Sequence, residues 1–372
     1  MKILHTPARL HPYVGGVERY VLDLAVEQVS QGHQVTVVCA DEPSSEPKAI
    51  IKGVKIIRLP YKCKVANTNI TFGLLRVLLH QDFDIIHTHI PTPWSSDVSM
   101  LASMLKHRPL IVTYHNDIVK DFGFEKLLAE LYSATLLRLI FKRASRIIIT
   151  QSKYLEYSKH LKNYKNKITT IPVGVSPPKK VHNIKRNPNQ LFFLSVLDSY
   201  HEYKGLPVLL NSIVNVKKQK PQVKLVIGGK GDLTSKYERI AKDLGIQKSV
   251  KFLGFVPDDD LPKYYSSSAM LVLPSVTHLE GFGIVALEAL SYGTPVITTS
   301  ITGSSSFIKD KHAGLVVRPN EVTDLTKAII TLLNDAKKSE AMGLRGAKAV
   351  NKEFGWDRVA TQLTEIYRGA VR

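Results

Sequence analysis

The chain has 372 residues, enough for two domains. Its 44% hydrophobic content allows a core of normal size, and no apolar run reaches the roughly 18 residues that a membrane-spanning helix needs. A net charge of +19, spread over both halves, favours phosphate-rich partners: nucleotides, anionic membrane surfaces or nucleic acid. Cys39 and Cys63 are too few for a disulfide framework and point to a reducing cytoplasm.

Residues 2–6 read as a first buried strand running directly from the start, so no signal peptide is expected. Gly15 and Gly16 follow, and then a helix to about Gly32 with Val17, Tyr20, Val21, Leu24 and Ala25 at helical spacing. A glycine pair at a helix start lets backbone come close to a ligand. Residues 35–39 and 54–59 read as further strands, with polar connections over 41–52 and 60–70. Residues 72–80 suggest a helix. Residues 84–89 form a strand ending in His87 and His89, and His87, Asp82 and Asp84 give no convincing metal-ligand spacing. Residues 110–114 are a strand leading into His115, Asn116 and Asp117. That puts polar groups at the carboxyl edge of a parallel sheet, where ligands bind in open α/β folds. Residues 125–146 read as one long helix, apolar along its length and basic at Lys142, Arg143 and Arg146. This end could serve the helix dipole or meet anionic lipid head groups. Strands at 146–150 and 168–171 complete a first α/β unit, and the Pro-, Lys- and Asn-rich stretch after it reads as a linker.

The second unit opens with a strand at 191–197, then Lys204-Gly205 before a helix. A strand at 224–227 leads into Gly228-Gly229-Lys230-Gly231. This is not a Walker loop, but its glycines permit close backbone approach and Lys230 is a candidate phosphate contact. Residues 250–257 read as a strand, with Gly254 to Val256 at its end. Residues 270–274 are a buried strand followed by Glu280-Gly281-Phe282-Gly283 and a helix from Ile284 that carries Glu288. Strand, glycine turn and helix start make an anion site, because the first backbone N–H groups lack helical partners. A strand at 296–297, another at 314–317, a helical stretch at 322–352 and an amphipathic helix to about Arg368 end the chain.

The Leu273-Pro274-Ser275 and Glu280-Gly281-Phe282-Gly283 pattern, with Glu288 eight positions on, resembles the signature of the retaining family-four glycosyltransferases. The Gly15-Gly16 loop, His115 with Asp117, Lys204-Gly205 and the 228–231 loop match other motifs of that family in order along nearly the whole chain. The resemblance implies a GT-B fold: two Rossmann-like, doubly wound parallel-sheet domains facing across a cleft that holds the active site. It implies that Glu280, with the Phe282 and Gly283 backbone, holds donor-sugar hydroxyls. Glu288 would hold the nucleotide ribose, and His115 would lie beside the sugar near the reacting carbon. Lys204, Gly15, Gly16 and the helix start at Ile284 would take up diphosphate charge. Gly229 and Lys230 would border the ligand, and Val256 the nucleobase. The family's Arg five or six residues before Lys204 is absent, since Ser199 and Asp198 stand there.

The domains expected are 1–176 on the acceptor side, a linker at 177–190, a nucleotide-sugar domain at 191–353 and a final helix at 354–372 crossing back to the first. The expected activity is retaining hexosyl transfer from a UDP- or GDP-sugar, with no metal and no further cofactor. The acceptor would be a lipid-linked glycan, glycolipid or polysaccharide precursor, at the cytoplasmic face of an anionic membrane. Nucleic acid is disfavoured, for want of aromatic-basic interleaving. The missing Arg keeps a second reading open, a non-catalytic glycan- or nucleotide-binding partner subunit.

Overall fold

The computed structural model describes residues 1–13, 15–65, 68–118, 123–176, 178 and 184–371. The chain divides into two compact units, Met1–Gly174 with Trp356–Arg372, and Val175–Gly355.

Unit 1 is built on β1 (Lys2–Thr6), β2 (Gln34–Ala40), β3 (Lys48–Ile51), β4 (Val54–Leu59), a separate hairpin of β5 (Cys63–Val65) and β6 (Thr68–Ile70), then β7 (Ile85–Ile90), β8 (Leu110–Tyr114), β9 (Arg146–Ile149) and β10 (Ile168–Thr170). The main sheet runs β10-β9-β8-β7-β1-β2-β4-β3, parallel except for β3 against β4. Central strands such as β7 and β8 are buried at every position, because helices cover both faces. Alternation still sorts the side chains. Leu4, Ile86, Ile90, Val112 and Ile147 face an apolar core shared with Leu137, Ile140 and Phe141. On the other face His5 lies in register with His87, and His89 with Thr113. That face meets helix Gly16–Ser30, through Tyr20 and Gln28, and helix Trp356–Val371, through Tyr367, while Trp356 packs against Tyr20.

Unit 2 holds β11 (Asn187–Leu194), β12 (Lys224–Gly228), β13 (Val250–Phe252), β14 (Ser268–Leu273), β15 (Val296–Thr299) and β16 (Gly314–Val317), all parallel in the order β13-β12-β11-β14-β15-β16. This is the doubly wound order, which reverses between β11 and β14. The crevice at the carboxyl ends of those two strands is where such sheets bind ligands.

Several expected boundaries shift for identifiable reasons. The stretch read as one helix over 125–146 is two, Gly123–Ala134 and Leu136–Arg143. Thr135 leaves helical geometry (φ −118°, ψ −88°), and its hydroxyl donates to the Leu131 carbonyl at 2.7 Å. The helical stretch at 322–352 splits at Asp335, whose carboxylate caps the second helix by accepting from Lys338 N–H at 2.9 Å. The polar connections at 41–52 and 60–70 contain β3 and the β5–β6 hairpin. The stretch read as a linker over 177–190 ends inside β11, whose Gln190 pairs with Lys224; positions 177 and 179–183 lie outside the described residues. Among the described residues no helix is long and apolar enough to cross a membrane.

Candidate active site

In unit 2 the site begins at the switch point. After β11 the chain makes a short 3-10 helix, Ser199–Lys204, and after β14 it runs through Pro274 and Ser275. The two loops are laced by Val276 N–H donating to the Tyr203 carbonyl at 2.8 Å. The Lys204 ammonium lies 3.0 Å from Oε1 and 2.8 Å from Oε2 of Glu280, and the Ser275 hydroxyl donates to Oε2 at 2.9 Å. Glu280 is only 4% exposed. Burial alone would depress the Lys204 pKa, but Glu280 and Tyr203 outweigh it and raise it, so the group stays cationic. Burial also pushes the neighbouring Tyr203 phenol up to about 12, against the pull of Lys204. A buried ion pair of this kind adds little net stability, because desolvation offsets attraction, but it fixes both side chains at the sheet edge.

The turn after Glu280 is shaped by Gly283, which caps helix Ile284–Ser291 with φ 77°. A Cβ there would lie 2.8 Å from Thr302 Cγ2 and 2.9 Å from Leu273 Cδ2. The Gly281 and Phe282 carbonyls accept from Gly303 and Ser304 N–H at 3.0 Å, and the first bond of the helix is Ala286 N–H to the Gly283 carbonyl. The N–H groups of Ile284 and Val285 therefore lie at the positive end of the helix, outside its ladder. The Phe282 ring packs on Phe354, with centroids 5.6 Å apart, so this side chain belongs to the core and only its backbone suits a ligand. Glu288 is buried one turn further on, and its Oε2 accepts from the Tyr265 hydroxyl at 2.7 Å. The structure thus joins Glu280 to Lys204, while Glu288 is held separately.

The close approach at Gly229 (φ 119°) is made to the chain's own Ser195, whose carbonyl a Cβ would strike. Gly229 N–H also donates to the Gly254 carbonyl at 2.8 Å. The Lys230 ammonium sits 6.0 Å from the Phe255 ring centroid, and Val256 is buried nearby in sequence. At the positions where the family carries Arg, Asp198 caps the 3-10 helix and binds His201 Nδ1 at 2.6 Å, and Ser199 opens that helix.

In unit 1, Gly15 caps helix Gly16–Ser30 in an extended conformation, and the Glu18 carboxylate folds back against it. Burial raises the Glu18 pKa. His115 follows β8 and is half-buried. Its N–H donates to the Ile90 carbonyl at 2.8 Å, and its ring meets Tyr20 edge-on at 4.9 Å. Asp117 turns away, accepting from the hydroxyls of Tyr114 and Ser158. Behind His115 lies a cluster that the sequence reading missed: His89, His87 and His5, all fully buried, with His87 and His89 stacked at 4.6 Å. Burial lowers the pKa of His5 to about 4 and of His115 to about 3, and holds His87 and His89 well below the ordinary range. The ligand atoms of His5, His87 and His89 lie within 4.8 Å of one another, a spacing that could hold a metal. Each ring nitrogen of the three, however, already has a hydrogen-bond partner. The spacing of His87 and His89 gave a signal, since alternate strand residues share a face. His5 gave none without the strand order.

Two family models tile the chain: "Glycosyltransferase Family 4" matches residues 14–178 and "Glycosyl transferases group 1" matches 177–349. The chain belongs to the family-four glycosyltransferases. This glycosyltransferase is 27% identical to the O-antigen chain mannosyltransferase C of Escherichia coli, over 99% of this chain and 98% of that one. It is also 27% identical to the phosphatidyl-myo-inositol mannosyltransferase of Mycobacterium leprae, over 95% and 92%. Among solved structures, Anabaena Alr3699/HepE in complex with UDP shares the fold, with a TM-score of 0.78 at 18% identity, over 99% of this chain and 100% of that one. Both units are accordingly of the GT-B class.

Proposed function

We propose that this glycosyltransferase moves a hexose, with retention and without a metal, from a UDP- or GDP-sugar to a hydroxyl of a lipid-linked glycan, glycolipid or polysaccharide precursor. The observation that carries the reading is the Lys204–Glu280–Ser275 cluster at the switch point of unit 2. Glu280 orients donor-sugar hydroxyls. Both its oxygens are engaged by Lys204 and Ser275, which suits an orienting group better than a covalent nucleophile and supports front-face attack by the acceptor. Lys204, the helix start at Ile284 and the Gly15-Gly16 loop neutralise the departing diphosphate, the electrostatic work a metal would otherwise do. Glu288 holds the ribose, Lys230 and Val256 border the nucleotide, and His115 lies beside the sugar. The names of the two mannosyltransferase relatives support a mannose-like sugar and a lipid or O-antigen acceptor.

Contact with an anionic membrane at the inner face of the cell is supported by helix Gly123–Ala134. It presents Phe124, Leu127 and Leu131 on one face, 72%, 61% and 59% exposed, beside the exposed Lys126. Arg143 does not belong to that surface, because its guanidinium donates to the carbonyls of Ser103 and Arg108.

Calorimetric titration of UDP-, GDP- and ADP-sugars into wild type and Glu288→Ala tests the reading. One donor should bind selectively and lose affinity in the variant. Failure of all three to bind folded protein would overturn it. Tight nucleotide binding without transfer would favour the partner-subunit reading that Ser199 motivates.

A further inference from the structure

Behind His115 the buried polar groups form a chain of hydrogen bonds with two branches that meet at Gln28. His115 Nε2 meets His89 Nδ1 at 3.3 Å, and His89 Nε2 meets His5 Nδ1 at 3.3 Å. His5 Nε2 meets Gln28 Oε1 at 2.8 Å. The amide's other end, Gln28 Nε2, donates to the Tyr367 hydroxyl at 3.3 Å. That hydroxyl meets His87 Nδ1 at 2.5 Å, and His87 Nε2 meets Thr113 Oγ1 at 2.7 Å. Burial keeps all four imidazoles neutral at neutral pH and keeps the Tyr367 phenol protonated.

A neutral imidazole has one N–H and one lone pair, so each ring passes on the direction it receives. The amide oxygen of Gln28 can only accept. With that oxygen turned toward His5, His5 carries its proton on Nε2, leaving Nδ1 bare to accept from His89 Nε2–H. His89 Nδ1 is then bare and accepts from His115 Nε2–H. The nitrogen of His115 left outside the chain, Nδ1, holds a lone pair. On the other branch Tyr367 receives from the amide and so gives its own proton to His87 Nδ1. Turning the amide end for end reverses the bonds of both branches and would put a proton on His115 Nδ1.

We infer that Gln28 is a positioning residue which, through His5 and His89, fixes the tautomer of His115 so that its outer nitrogen accepts a hydrogen bond from a sugar hydroxyl. The substrate contact rests on the proposed place of His115 beside the donor sugar; the tautomer does not. With Nδ1 bare, the ring recognises a hydroxyl that donates. The opposite tautomer would present a second donor to it.

Long-range proton–nitrogen correlation spectra of the full chain labelled with 15N-histidine test this, with His115 identified by the signals lost in His115→Ala. Wild type should show His115 protonated on Nε2 and bare on Nδ1. Gln28→Leu should show mixed or reversed tautomers and a kcat lowered about 10- to 100-fold, the size typical of lost outer-shell partners. Tyr367→Phe removes a hydroxyl just as buried but on the other branch, and should keep the wild-type tautomer. A wild-type His115 protonated on Nδ1 overturns the inference, and this needs no variant to fold. So does a folded Gln28→Leu with the wild-type tautomer. If His115→Ala transfers sugar at the wild-type rate, the placement of His115 beside the sugar fails, and the spectra still decide the tautomer.

Discussion

Replacing Lys204 by Met separates the two tasks of the switch-point ion pair. In the folded chain Glu280 is 4% exposed and the Lys204 side chain 15%, so the pair is screened little by solvent. Removing the ammonium leaves a buried carboxylate with the Ser275 hydroxyl but no cation. Stranding one partner of a buried pair costs about 3–5 kcal/mol, far more than the pair contributes net. The double variant Lys204→Met, Glu280→Gln removes both charges and should regain all but about 1 kcal/mol of that loss, on the same argument. Transfer should fall about 100-fold or more in both, since the charge at the leaving group is gone in each. Calorimetric unfolding of wild type, the two singles and the double, with initial rates alongside, gives the full cycle. The pH dependence has a definite sign. Because the folded-state pKa of Lys204 is raised, the stabilisation linked to its protonation is fully present below the ordinary lysine value of 10.5. It fades only as pH climbs through the higher folded value. A double variant as unstable as the sum of the singles would refute the buried-pair argument. A single variant that transfers sugar normally would refute the role of Lys204.

Gly283→Ala forces an unfavourable left-handed residue against Thr302 and Leu273, and should cost about 1–3 kcal/mol on denaturant unfolding and weaken nucleotide binding. Leu127→Asp with Leu131→Asp should reduce cosedimentation with anionic vesicles while leaving donor-sugar titrations unchanged, because both side chains are exposed. Arg143→Met should lower stability by about 1–3 kcal/mol, through the unpaired Ser103 and Arg108 carbonyls, and leave vesicle binding intact.

Much of the fold is legible in the sequence because buried parallel strands are written as short apolar runs such as Leu110-Ile111-Val112 between polar turns. The edge strand β3 was not, since Lys48-Ala49-Ile50-Ile51 is half-exposed and alternates weakly. The helix breaks at Thr135 and Asp335 were also hidden, because each residue also occurs inside helices and only its side-chain bond marks the break. At the site, Lys204 and Glu280 each stand out beside a glycine. Their pairing does not, because 76 positions separate them and only the strand order brings β11 next to β14. The histidines illustrate the same limit. His87 and His89 advertise a shared face, but that face acquires meaning only when β1 supplies His5 and two helices supply Gln28 and Tyr367.

The final helix, Trp356–Val371, belongs to unit 1 although all of unit 2 precedes it in the chain. On the ribosome, residues 1–174 therefore emerge with the seat of Tyr367 empty and His87 Nδ1 without its hydroxyl partner. At 5–20 residues per second, that opening persists for about 10–40 s while residues 175–355 are made. For that interval the face of unit 1 that receives Tyr367 stays uncovered, and it closes only when Trp356–Val371 has been made.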